Sequence, residues 1–174
     1  MNPRYFRWKI GSVHALAIYP YDQTFQSMLY QYKGCGDIEL APVFLERVSW
    51  LLKIRYWNYY VVPAPSHVSH VEARGFDHVP LAFSGIGRKL VRAIEKTEDV
   101  KQSDQTKEGR RSIGKHLRLL PNTGLAGKRI LFVDDVYTTG STARACLKLL
   151  HSLHPRKLAV VVLSSVAENR GKGR

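Results

Sequence analysis

A chain of 174 residues, 44% of them hydrophobic, can bury one sizeable core, and its longest unbroken apolar run, Leu158 to Leu163, is far too short to span a bilayer. Two cysteines far apart in sequence, Cys35 and Cys146, leave no disulfide framework and no Cys-x-x-Cys zinc pair, which fits a reducing cytoplasm; no apolar stretch follows the basic N-terminus, so no signal peptide is expected. The 27 Lys and Arg against 14 acids give a net charge of +13 and point to anionic partners, nucleic acid or a polyphosphate substrate.

Residues 4–9, Arg-Tyr-Phe-Arg-Trp-Lys, interleave basic and aromatic side chains. Single-strand stacking platforms have this composition. So does an extended segment with rings packed inward and cations outward, the reading preferred here. Val13 to Tyr19 reads as a strand. Asp22 is placed to cap a helix whose apolar face is Phe25, Met28, Leu29 and Tyr32, ended by Gly34 and Gly36. A second helix is expected from about Leu40 to Ile54, with Pro42 in its first turn and Ala41, Leu45, Val48 and Leu52 as its stripe. Tyr59 to Val62 is a short apolar strand, stopped by Pro63-Ala64-Pro65-Ser66. His67 and His70 have metal-like spacing, but no further close Cys or acid completes a set, and a solvated loop pair is the preferred reading. Asp77 is positioned to cap a helix with Val79, Phe83, Ile86, Leu90 and Ile94 buried, weakened by Gly85 and Gly87. From Lys101 to Arg118 the periodicity vanishes and cations dominate, so a mobile basic loop is expected.

The densest signal is Ile130 to Thr142. Four apolar residues read as a buried strand. Asp134 and Asp135 follow, then Val136, Tyr137 and the small polar run Thr138-Thr139-Gly140-Ser141-Thr142. A helix starts at once, with Cys146, Leu149, Leu150 and Leu153 at i, i+3, i+4 and i+7. Backbone N–H groups at a helix start attract phosphate, glycine permits close approach, and ionised carboxylates suit vicinal hydroxyls or a hydrated divalent cation. Together these make a sugar-phosphate site. A receiver-type Asp pair or a plain capped helix would not demand Thr-Thr-Gly-Ser-Thr, and no P-loop pattern occurs. Leu158 to Leu163 is a further buried strand, and the tail, 168–174, reads as disordered and basic.

Strands alternating with helical patterns predict one α/β domain over residues 1–174, with a basic N-terminal segment, 1–12. Its sheet should be mainly parallel and flanked by helices, with ligands at the carboxyl ends of the strands.

The 130–142 stretch resembles the motif that binds 5-phosphoribosyl 1-diphosphate (PRPP) in type I phosphoribosyltransferases. With Tyr32-Lys-Gly-Cys-Gly-Asp37, Glu39-Leu-Ala41, Pro63-Ala-Pro65 and Arg74-Gly-Phe76, the chain resembles the ComF (GntX-like) family. The resemblance implies a phosphoribosyltransferase-like fold acting in natural competence, and PRPP binding through residues 134–142 with Mg²⁺ carried mainly by PRPP, so no protein metal ligand is assigned. It implies ribose hydroxyls on Asp134 and Asp135. It implies pyrophosphate on Ala64, Pro65, Ser66 and Arg74; the charge of the basic loop, with Lys107, Arg110 and Arg111, suits a lid over a diphosphate, an inert insertion being the alternative. Single-stranded DNA or competence proteins are expected as further partners, and a non-catalytic PRPP sensor or DNA-binding adaptor is the alternative. Two departures stand out. The Cys-rich zinc module often found in the family is absent from this sequence. Asp77 and His78 also replace the Asn and Gln usual after Arg-Gly-Phe.

Overall fold

The computed structural model describes residues 1–97 and 116–166. β1 (Phe6–Ile10) and β2 (Val13–Pro20) form an antiparallel hairpin. Helix α1 (Gln23–Gly34) follows, its first turn capped by Asp22, which accepts from the Phe25 N–H at 2.9 Å. After α2 (Ser49–Tyr56) come β3 (Tyr60–Pro63), α3 (Val68–Arg74) and α4 (His78–Ala82). The chain continues through β4 (Lys89–Leu90), β5 (Ile94–Lys96), β6 (Leu117–Leu119), β7 (Arg129–Tyr137), α5 (Ser141–His151) and β8 (Lys157–Ser165).

Six strands form one sheet in the order β1-β2-β8-β7-β3-β4, parallel everywhere except the β1–β2 hairpin. The architecture is therefore α/β, with a mainly parallel sheet flanked by helices. Strand periodicity divides the core between the two faces. Leu131 and Val133 pack with α1 and α2, whereas Ile130 and Phe132 pack with α5. Both faces are covered, which is why β7 and β8 are almost continuously apolar. Among the described residues no helix is long and apolar enough to cross a membrane.

The stacking-platform reading of the N-terminal run fails for two of its rings. Phe6 and Trp8 turn inward while Arg7 and Lys9 face solvent, and Trp8 packs on Tyr137 with ring centroids 5.0 Å apart. The helix expected over 40–54 is two 3₁₀ turns, Ile38–Leu40 and Pro42–Phe44, followed by α2. Its stripe, Ala41, Leu45, Val48 and Leu52, is nonetheless buried.

The helix expected from Asp77 to Ile94 stops after Ala82. Gly87 sits at φ +70°, and a Cβ there would meet the Tyr59 carbonyl and the Val61 side chain at 2.7 Å. The chain instead turns to lay β4 along β3, with the Arg88 and Val91 N–H groups donating to the Tyr59 and Val61 carbonyls. Ile86 and Ile94 are still buried, so the apolar spacing marked the inward residues and not their winding.

The four-residue strand expected at 130–133 is nine residues long. β8 keeps pairing alongside it, with Asp134 opposite Val162 and Tyr137 opposite Ser165. Arg118, expected in the basic loop, lies in β6 and pairs with Glu95. Residues 101–115 of that loop and the tail lie outside the described residues.

Candidate functional site

The tip of β7 meets the loop after β3 and the start of α5 in a cleft of about 230 Å³. Asp134, Asp135, Val136, Ala64, Pro65, Ser66, Arg74 and Thr142 all line it. Parallel pairing explains the meeting: β3 ends with Pro63 opposite Val133, the residue before the acid pair, and the Ala64 N–H donates to the Val133 carbonyl at 2.8 Å.

Consecutive strand residues face opposite ways. Asp135 follows Val133 toward α1 and α4. Asp134 follows Phe132 toward α5, where its charge helps, after burial itself, to raise the Cys146 thiol pKa. Asp135 is buried and tightly held. Its Oδ2 accepts from Lys33 Nζ at 2.8 Å and His78 Nε2 at 3.1 Å, and its Oδ1 accepts from the Val136 N–H at 2.6 Å. Burial pushes this carboxyl up, but the His78 hydrogen bond and the Lys33 ammonium outweigh it and hold Asp135 below the ordinary carboxylate range. Asp134 accepts from the Asp135 N–H at 2.9 Å. Burial, then the neighbouring Asp135 carboxylate, pushes Asp134 well above that range.

The run after β7 bends at Gly140, which has φ +73° and sits under the Tyr137 ring. Thr138 and Thr139 are exposed, and Ser141 and Thr142 open α5. The Thr139 and Ser141 hydroxyls are 3.1 Å apart. Arg144, which sequence reasoning passed over, braces the loop by donating to the Thr139 carbonyl at 2.7 Å and the Tyr137 hydroxyl at 3.4 Å. The α5 N-terminus thus opens beneath a loop rich in hydroxyls, an arrangement that receives phosphate.

Arg74 ends α3, and its guanidinium donates to the Lys33 carbonyl and to His78 Nδ1, both at 2.8 Å. Asp77 holds the N-cap position of α4 but makes no capping bond; it accepts from Ser66 Oγ at 2.9 Å and pairs with Arg92 at 3.2 Å, tying the β3 loop to α4. His67 caps α3 through the Ser69 N–H, with its ring 6.0 Å from that of His70. Lys107, Arg110 and Arg111 lie outside the described residues. Lys33 and His78 are the site residues the sequence did not disclose. The visible hint was the Asp77-His78 pair standing where the ComF family usually has two amides.

This acid-tipped strand, hydroxyl loop and helix lie within residues 67–174, which match the phosphoribosyl transferase domain family. The chain belongs to that family, and competence proteins named ComFC are among the relatives it is similar to. It is 33% identical over 142 residues to the competence protein ComFC of Streptococcus pneumoniae, covering 81% of this chain and 63% of that protein. The chain therefore spans about three fifths of that relative's length. Adenine phosphoribosyltransferase of Rhodococcus opacus is 30% identical over 146 residues, covering 81% of this chain and 80% of that one. Among solved structures, adenine phosphoribosyltransferase from Thermoanaerobacter pseudethanolicus aligns with a TM-score of 0.46 and 21% identity, covering 80% of this chain and 78% of that one.

Proposed function

We propose that this protein binds PRPP in the β7 cleft and transfers its phosphoribosyl group to a nucleophile, releasing pyrophosphate. One observation carries the reading: a single cleft brings together the acidic tip of β7, the start of α5 and the loop after β3. The run Thr138 to Thr142, at the N-terminus of α5, receives the 5′-phosphate. The acidic tip takes the ribose. The Ala64-Pro65-Ser66 loop lies where the diphosphate would extend, with Arg74 beside it in the same cleft.

The acceptor's lone pair forms the bond to C1 of the ribose as the C1–O bond to diphosphate breaks, and pyrophosphate leaves with that electron pair. Positive charge grows on the ribose, where the carboxylate side favours it, while cations meet the leaving group. Among the described residues no cluster of three His, Cys, Asp or Glu could hold a metal ion. In this reading Mg²⁺ is held mostly by PRPP oxygens, with Asp134 as the protein carboxylate in reach. When bound, the ion neutralises the diphosphate. The test is pyrophosphate release from PRPP across a panel of bases and amines, with adenine first because of the Rhodococcus relative. Turnover with any member supports transfer. PRPP binding without turnover favours a sensor, and no PRPP binding removes the reading.

A second reading, single-stranded DNA as a further partner, is favoured by the charge of +13 and by one face of α2. Trp50, Ile54 and Trp57 are 59%, 67% and 69% exposed at i, i+4 and i+7, with Lys53 and Arg55 between them. The adjoining groove includes Tyr5, Arg7, His14 and Arg55 and contains no acid. Binding measured by anisotropy on a labelled oligonucleotide should weaken steeply with salt. Trp50→Ala with Trp57→Ala should cost about 1–3 kcal/mol per stacked base at an unchanged salt slope. Arg7→Ala with Arg55→Ala should flatten that slope. No binding at low salt would end this reading.

A further inference from the structure

We propose that the two carboxylates at the tip of β7 divide the work: Asp134 alone meets the ribose, and Asp135 is a positioning residue locked by Lys33 and His78. The proposal rests on the phosphoribosyl reading above.

The geometry separates the pair. Asp135 already accepts three hydrogen bonds, from Lys33, His78 and the Val136 N–H, and it is buried. A carboxylate has about four acceptor positions, so little capacity remains for a substrate hydroxyl. Asp134 is partly exposed and receives the Asp135 N–H. It also faces the side on which α5 and the hydroxyl loop lie.

The lock is a closed ring. Asp135 bonds the Lys33 ammonium, the Lys33 carbonyl accepts from Arg74, Arg74 donates to His78 Nδ1, and His78 Nε2 returns to Asp135. A guanidinium can only donate, so Nδ1 is the acceptor and the imidazole proton sits on Nε2, aimed at Asp135. The ring joins the ends of α1 and α3, the start of α4 and the tip of β7. His78 therefore acts on the substrate only through Asp135, by fixing the backbone that presents Asp134. Glutamine has the same polarity: its carbonyl can accept from Arg74 while its amide donates to Asp135. Leucine can do neither.

The test is calorimetric titration of PRPP with Mg²⁺ into the wild type, His78→Gln and His78→Leu. His78→Gln should bind within about threefold of wild type, while His78→Leu should bind about 10–100-fold more weakly, as when an outer partner of a site ligand is lost. Leucine binding as tightly as wild type, or glutamine binding as weakly as leucine, would overturn the proposal. If His78→Leu does not fold, Lys33→Met carries the test, because the Lys33 side chain is 42% exposed and its loss opens no core. Weaker PRPP binding there supports the lock, and unchanged binding refutes it. A wild type that does not bind PRPP fails in a distinguishable way: it removes the phosphoribosyl reading itself, and this proposal with it.

Discussion

Asp134→Asn should abolish the PRPP-dependent rise in melting temperature and, at neutral pH, raise the melting temperature of the free protein. Both effects come from one carboxyl. Its folded pKa is raised by burial and by Asp135, so ionising it opposes folding. A raised carboxyl pKa gives stability that is present below the ordinary carboxylate value and lost as pH climbs through the folded value. The amide removes that loss. The gap between mutant and wild type should be open at pH 7 and close below the ordinary carboxylate range. Asp135 has the opposite sign: held low, it contributes stability above the ordinary carboxylate value and loses it on acidification through its folded value. Melting scans across pH, with and without PRPP and Mg²⁺, read both arms. A ligand-induced rise in Asp134→Asn as large as in wild type, which mass action would demand of intact binding, would move the ribose away from Asp134.

Gly140→Ala should be the most damaging one-carbon change near the site. The residue lies at φ +73°, and a Cβ would fall on the Tyr137 hydroxyl and ring. Tyr137 cannot retreat freely, because Trp8 packs against it and Arg144 bonds its hydroxyl. Left-handed strain costs about 1–2 kcal/mol and overpacking about 1–3 kcal/mol. Together they predict a fall of roughly 5–15 °C in melting temperature for a chain of this size. The bend that aims Thr138 to Thr142 at the helix start would shift as well, so PRPP affinity should fall even at temperatures where the mutant stays folded. Thr138→Ala, on the exposed part of the same loop, should leave stability nearly unchanged. A Gly140→Ala protein as stable as wild type would mean that the loop relaxes without this bend.

The parts of the site legible in sequence are those in which neighbours along the chain are neighbours in space. A buried strand, two acids, small hydroxyl residues and a helix period occur in order over Ile130 to Thr142, and the structure keeps that order. The parallel sheet followed from apolar runs alternating with helical stripes, because a strand covered on both faces has no polar side to show. Asp135's partners could not be read this way. Lys33 lies 102 positions and His78 57 positions from it, and only the packing of α1 and α4 against β7 brings them to one carboxylate. The helix that carries Arg74 was not legible either, since seven residues, Val68–Arg74, have too little periodicity to detect. The overlong helix after Asp77 had a similar cause: inward residues of a turn and two short strands happened to fall near helical spacing, and the tight pass of Gly87 against Tyr59 is a tertiary fact.

The most direct test of the account is a crystal structure of the protein with PRPP and Mg²⁺. The account predicts the 5′-phosphate on the backbone and hydroxyls of Thr138 to Thr142, the ribose over Asp134, the diphosphate toward Ala64-Pro65-Ser66, and Asp135 still bonded to Lys33 and His78. PRPP seated elsewhere, or a β7 cleft empty at saturating ligand, would contradict it.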